Sequence, residues 1–168
     1  MMNNKRKYTF LNGKFVDSEK AGIPVATHAM QYGTGCFEGI RAYYSGKKDC
    51  LSIFRMREHY ERLLQSAKVL CITIPYSVDE LCRITVKLLQ KNYTKQDIYI
   101  RPFAYKSDTN IVKFYLPELE DGFGIFTLPL GRFVDAQKGL RVNVSSWARI
   151  SDTSIPPRAK ITGSYVNT

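Results

Sequence analysis

The stretch IPPRAKITGSYVNT (155–168) places one lysine, Lys160, after two prolines and five residues before a tyrosine, Tyr165. A lysine amine attacks a carbonyl carbon only when it is unprotonated, and its ordinary pKa of about 10.4 works against that. Burial or a stable Schiff base removes the obstacle, and both require a cofactor or a carbonyl substrate. Pro156 and Pro157 hold the approach to Lys160 extended, and Gly163 permits close packing just beyond it. A solvated surface charge is the simpler reading of a lone lysine, and the residues alone do not exclude it. The same holds elsewhere. Arg62 can pair with Glu58 one helical turn earlier, and Tyr32, Phe37 and Trp147 can be packing residues. Cys36, Cys50, Cys71 and Cys82 form no CxxC pair and no metal-like grouping with His28 or His59, so reduced thiols and a cytoplasmic setting are expected.

The elements that must carry these residues follow from periodicity. YTFL and KFV flank Asn12-Gly13, the signature of a tight β-hairpin. Gly33, Gly35 and Gly39 crowd the next segment and indicate unusual or closely packed backbone. IRAYY and LSIF read as strands. Tyr60, Leu63, Leu64, Ala67, Leu70 and Cys71 form one stripe of an amphipathic helix. A second helix opens with the capping box Ser77-Val78-Asp79-Glu80 and presents Leu81, Thr85, Leu88 and Leu89. Strands are expected over 97–105, 123–130 and 140–147. Strands with two helices packed on one side imply an α+β layer over 1–130. A connector follows at 131–139, and a second domain begins over 140–168.

At 168 residues, with 44% hydrophobic and 24% charged residues, the composition is that of a globular protein. No apolar run reaches the roughly 18 residues of a membrane helix, and no secretory leader is visible. The net charge of +10 is scattered from Lys5 to Arg158 without a dense basic block, so no specific nucleic-acid partner is expected.

Five stretches in order resemble one family: HAMQYGTGCFEGIRAY (28–43), FRMREHYERLLQSAK (54–68), YIRP (99–102), VSSWARIS (144–151) and IPPRAKITGSYVNT (155–168). They are similar to the branched-chain amino-acid aminotransferases, fold-type-IV enzymes that use pyridoxal 5'-phosphate (PLP). The resemblance implies the small N-terminal domain of that fold, an antiparallel sheet carrying two helices. It implies that Lys160 bonds PLP covalently and moves the substrate proton, that Tyr165 hydrogen-bonds the cofactor's phenolic oxygen, and that Arg62 clamps its phosphate. Tyr32, Phe37 and Arg41 fall in the stretch that shapes the substrate pocket. Arg101, with Tyr99, matches the position that recognises an acidic substrate's carboxylate. Leu130 and Phe133 stand where many members carry Trp and Tyr, a departure that bears on side-chain preference; ITGSY stands where many read AGGNY.

The implied reaction moves an amino group between Leu, Ile or Val and 2-oxoglutarate in a homodimer, without a metal. The same fold also serves D-amino-acid aminotransferases and aminodeoxychorismate lyases, although the EGIR, YIRP and SSW stretches favour the branched-chain members. Family chains continue for well over a hundred residues past this point and there supply a glutamate for the pyridine nitrogen. The expectation is therefore an N-terminal fragment, inactive alone or serving only as a structural module.

Overall fold

The computed structural model describes residues 7–131 and 137–166. Strands β1 (Tyr8–Leu11) and β2 (Lys14–Asp17) form the expected hairpin. Asn12 and Gly13 both have positive φ, 45° and 87°, which suits the twist of a two-residue turn. A single helical turn, α1 (His28–Tyr32), ends at Gly33 in the left-handed conformation, φ 67°. Strands β3 (Gly35–Phe37), β4 (Ile40–Ser45) and β5 (Cys50–Ile53) follow, then helices α2 (Met56–Val69) and α3 (Val78–Lys91). Two nine-residue strands, β6 (Ile98–Lys106) and β7 (Asp121–Pro129), complete the sheet.

The sheet is antiparallel throughout, in the order β2-β1-β7-β6-β4-β5. The short β3 pairs with the C-terminal half of β6 while β4 pairs with its N-terminal half. Alternation along β6 defines two faces. Ile98, Ile100 and Ala104 are buried in the core with Ile40, Ala42, Phe123 and Ile125. Helix α2 adds Tyr60, Leu63 and Ala67, and α3 adds Leu81, Leu88 and Leu89. Tyr99, Arg101 and Phe103 alternate with the core residues of β6 on the other face. This is the α+β layer expected from the order of elements.

Helix α3 is explained locally and the end of α2 is not. In α3 the Ser77 amide donates to Glu80 Oε2 at 2.8 Å and the Glu80 amide to Ser77 Oγ at 3.3 Å, the reciprocal cap expected from the sequence. Helix α2 stops before the apolar stripe does. Leu70 lies past its end, and Cys71 has φ 53° and is exposed. The stop is fixed from below by Lys106, whose side chain is 0% exposed. Its ammonium donates to the Cys71 carbonyl at 2.6 Å and pairs with Asp121 at 2.7 Å.

The segment 140–147 departs from expectation. It forms no strand, and Val142, Val144 and Trp147 are exposed. Its alternation of apolar residues has no neighbouring edge to pair with among the described residues, and an unpaired strand leaves its backbone polar groups to water. Beyond it the chain returns to the sheet. Ile161 bridges to Cys36, and a 3-10 turn over Thr162–Tyr165 follows. Among the described residues no helix is long and apolar enough to cross a membrane, and no three His, Cys, Asp or Glu side chains gather as a metal site.

Candidate active site

The returning segment is held through its backbone. The Lys160 amide donates to Ser66 Oγ on α2 at 3.0 Å, and its carbonyl accepts from the Phe37 amide at 3.1 Å. Ala159 and Ile161 on either side are buried, whereas Lys160 itself is half-buried. A turn closed by the Ala159 amide on the Pro156 carbonyl delivers the chain to this position. Gly163 lies against Gly33, where a Cβ on Gly33 would come within 3.3 Å of the Gly163 Cα. The close packing read from Gly163 is therefore present.

Phe37 is the centre of the arrangement. Lys160 Nζ lies 5.4 Å from its ring centroid, the Arg101 guanidinium carbon 4.3 Å, and the Tyr165 ring 5.1 Å at a 50° tilt. Cations on an aromatic face are attracted by the ring's quadrupole. Lys160 Nζ has no carboxylate partner among the described residues. The neighbouring thiol of Cys36 is no competing nucleophile: burial, followed by the nearby Glu38 charge, outweighs a backbone hydrogen bond from Ala104 and pushes its pKa up to about 12.

Beside Lys160 opens a cleft of about 160 Å³. Arg62, Arg149, Arg158 and Lys160 line it with Ser164 and Tyr165, and no carboxylate does. Three cations with no carboxylate partner among the described residues, beside a fourth that Glu38 meets from outside the lining, favour an anion. Arg62 reaches the cleft from α2, but its partner is Glu38 rather than Glu58, which pairs with Arg55 at 2.9 Å. Arg62 Nε and Nη2 both donate to the Glu38 carboxylate, the latter at 2.7 Å. His59 Nδ1 lies 2.9 Å from Glu38 Oε2. Burial by itself would raise the Glu38 pKa, but the bonds from Arg62 and His59 prevail and hold it below the ordinary 4.5.

Arg101 is fixed by Tyr99, whose hydroxyl accepts from Nε at 3.1 Å and from Nη2 at 2.9 Å. Tyr99 lies flat only because residue 39 is glycine: a Cβ there would overlap the phenol oxygen and sit 3.0 Å from Cζ. Thus Phe37, Tyr99, Arg101, Lys160 and Tyr165 are brought together, with Arg62 across the cleft.

Other expected pocket residues stand apart from this group. Arg41 is in register with Tyr99, yet its Nη2 donates to the Leu130 carbonyl at 2.9 Å and its charge faces Asp97 at 3.9 Å. Leu130 enters that contact through its backbone. Tyr32 donates to the Ile111 carbonyl at 2.9 Å and packs with His28 and Phe114 in a separate aromatic group. Phe133 lies outside the described residues. Reasoning from sequence missed Glu38 and assigned His59 no role. The available signal was His59 and Arg62, three apart on one helix face, which together call for an anion.

Comparison with known proteins gives the family. Residues 35–168 match the family described as amino-transferase class IV. A probable branched-chain-amino-acid aminotransferase of Aquifex aeolicus is 43% identical over 163 residues, 95% of this chain and 51% of the relative. The branched-chain aminotransferase of Thermoproteus uzoniensis, crystallised with norvaline, superposes with a TM-score of 0.88 at 39% identity, over 95% of this chain and 52% of that one. The enzyme of Thermobaculum terrenum in its PLP form gives 0.81 at 28% identity, over 98% and 53%. The chain therefore spans about half the length of the relatives it matches. With the family's match running through the cleft and Lys160, the chain belongs to the class IV aminotransferases.

Proposed function

We propose that this protein is a PLP-dependent branched-chain aminotransferase that moves the amino group between Leu, Ile or Val and 2-oxoglutarate. The observation that carries the reading is the position of Lys160. It is an amine with no carboxylate partner among the described residues, beside an aromatic ring and on a cleft of four cations. That chemistry fits PLP, which offers a carbonyl to the amine and a phosphate to the arginines. The Thermobaculum relative, solved in its PLP form, supports the same cofactor.

When bound, PLP supplies an electron sink for the carbanion at the substrate Cα. The chain's own residues do the rest. Lys160 Nζ would hold the cofactor covalently, and its free amine would take the proton from the substrate Cα and give it up again at the cofactor's aldehyde-derived carbon. Arg62 holds the phosphate with a planar fork suited to a dianion. The Tyr165 hydroxyl would donate to the phenolic oxygen of the cofactor. Phe37 offers an apolar wall to branched side chains, while Arg101, steered by Tyr99, takes the side-chain carboxylate of glutamate. Arg41 shapes the outer rim by holding the carbonyls at Leu130 and Gly131, and the identities of residues Leu130 and Phe133 bear on side-chain preference. Tyr32 and Phe114 form an exposed aromatic surface through which a second copy completes the site of a homodimer. The reading includes a role in amino-acid biosynthesis in the cytoplasm. It also includes a division into a small domain at 1–130, a connector at 131–139 and the start of a PLP-binding domain at 140–168.

The test is turnover of leucine with 2-oxoglutarate, followed by glutamate formation. The full-length gene product that carries this chain, supplied with PLP, is expected to catalyse it and Lys160→Ala in that product to abolish it. Equal turnover by Lys160→Ala would overturn the assignment.

A further inference from the structure

Among the described residues Glu38 is the one buried carboxylate, and its side chain is 0% exposed. Burying a carboxylate is costly unless its oxygens are satisfied. Here they accept from Arg62 Nε and Nη2, from the Gly39 amide at 3.2 Å, and meet His59 Nδ1 at 2.9 Å. The main chain of Glu38 is fixed as well, its amide donating to the Pro102 carbonyl at 2.9 Å. The acceptor is therefore held by the backbone just past β3, and Arg62 takes its orientation from it.

What it holds is one edge of the Arg62 fork. A guanidinium has five N–H donors, and Glu38 takes one from Nε and one from Nη2. The outer edge, with both Nη1 hydrogens and the second on Nη2, is the part left for the cleft that Arg62 lines. Without Glu38 a side chain half exposed on a helix would sample several rotamers, and a phosphate would bear the cost of ordering it. His59, three residues before Arg62, meets the same Oε2 that accepts from Arg62 Nη2 and gives the carboxylate a further tie to α2.

We propose that Glu38 is a positioning residue for the cofactor phosphate, acting through Arg62 and assisted by His59. The inference rests on the functional reading above, in which Arg62 meets the phosphate of PLP. It is tested by calorimetric titration of the protein and its variants with PLP and, separately, with pyridoxal, which has the aldehyde but no phosphate.

Glu38→Gln is expected to weaken PLP binding by about 10- to 100-fold, the value of a charge-assisted hydrogen bond, with pyridoxal binding unchanged. Arg62→Ala is expected to do the same, and the double variant Glu38→Gln/Arg62→Ala to bind PLP no worse than Arg62→Ala alone. Glu38→Asp retains the charge one methylene short. It is expected to fall between wild type and Glu38→Gln, and it carries the comparison if Glu38→Gln does not fold. Two results would overturn the inference alone: full PLP affinity in both Glu38 variants while Arg62→Ala loses it, or equal weakening toward PLP and pyridoxal. A wild-type protein that binds no PLP would overturn the functional reading and this inference with it.

Discussion

Gly39→Ala tests how the sheet aims Arg101. The added Cβ would overlap Tyr99 Oη and lie 3.0 Å from Cζ and 3.1 Å from Cε2, so the ring must move. Overpacking of this kind costs about 1–3 kcal/mol. The low end applies because the clash is with the tip of one side chain rather than with backbone. About 1 kcal/mol lowers Tm by only ~2–4 °C in a chain of this size, so the protein stays folded. The functional effect is expected to be larger. Moving Tyr99 Oη breaks two hydrogen bonds to Arg101, of 3.1 and 2.9 Å, and releases the guanidinium from its place 4.3 Å over Phe37. At about 1 kcal/mol per net hydrogen bond, kcat/KM for glutamate should fall by roughly 10- to 30-fold, while kcat/KM for leucine changes less than threefold. Single-turnover measurements of each half-reaction read the two values separately. Tyr99→Phe in the Gly39→Ala background should recover part of the lost stability and none of the glutamate activity. Equal losses toward glutamate and leucine, or no loss toward either, would refute the reasoning.

Three further outcomes are expected. Because the folded-state pKa of Glu38 is depressed, its contribution to stability is present above the ordinary 4.5 and is lost as pH falls through the lower folded value. Urea midpoints measured from pH 6 downward should therefore fall more steeply below about pH 4.5 in wild type than in Glu38→Gln, and parallel slopes would contradict this. Asp121→Ala should cost about 3–5 kcal/mol, because it strands the Lys106 ammonium, 0% exposed, without its counter-charge; a loss below 1 kcal/mol in urea unfolding would count against that account. Ser77→Ala should cost about 1 kcal/mol through the lost cap on α3, and an unchanged urea midpoint would rule the cap out as a source of stability.

How much could be read in advance depended on whether each signal was local. Asn12-Gly13 and Ser77 to Glu80 carry their hydrogen-bond partners within four residues, and both formed as read. The stripe on α2 was right up to Ala67, but its end was not, because the stop is imposed by Lys106 from a strand 35 residues later. Segment 140–147 has the alternation of a strand and no partner edge among the described residues, and pairing rather than alternation makes a strand. Helix α1 and strand β3 lie among glycines that read only as punctuation. In the site, Lys160, Tyr165, Phe37 and Arg101 could be named from motif resemblance, yet their meeting on one aromatic ring could not. Glu38 was invisible because nothing near it in sequence marks it as buried; only the fold brings β3 beneath His59 and Arg62.

The central claim is that Lys160 is the amine that bonds the cofactor, and one measurement addresses it directly. The protein is mixed with PLP, reduced with borohydride, digested, and the modified peptide mapped by mass spectrometry. The account predicts a single phosphopyridoxyl group on Lys160, absent from Lys160→Ala. A label confined to any other lysine, or the same labelling in Lys160→Ala, would contradict it.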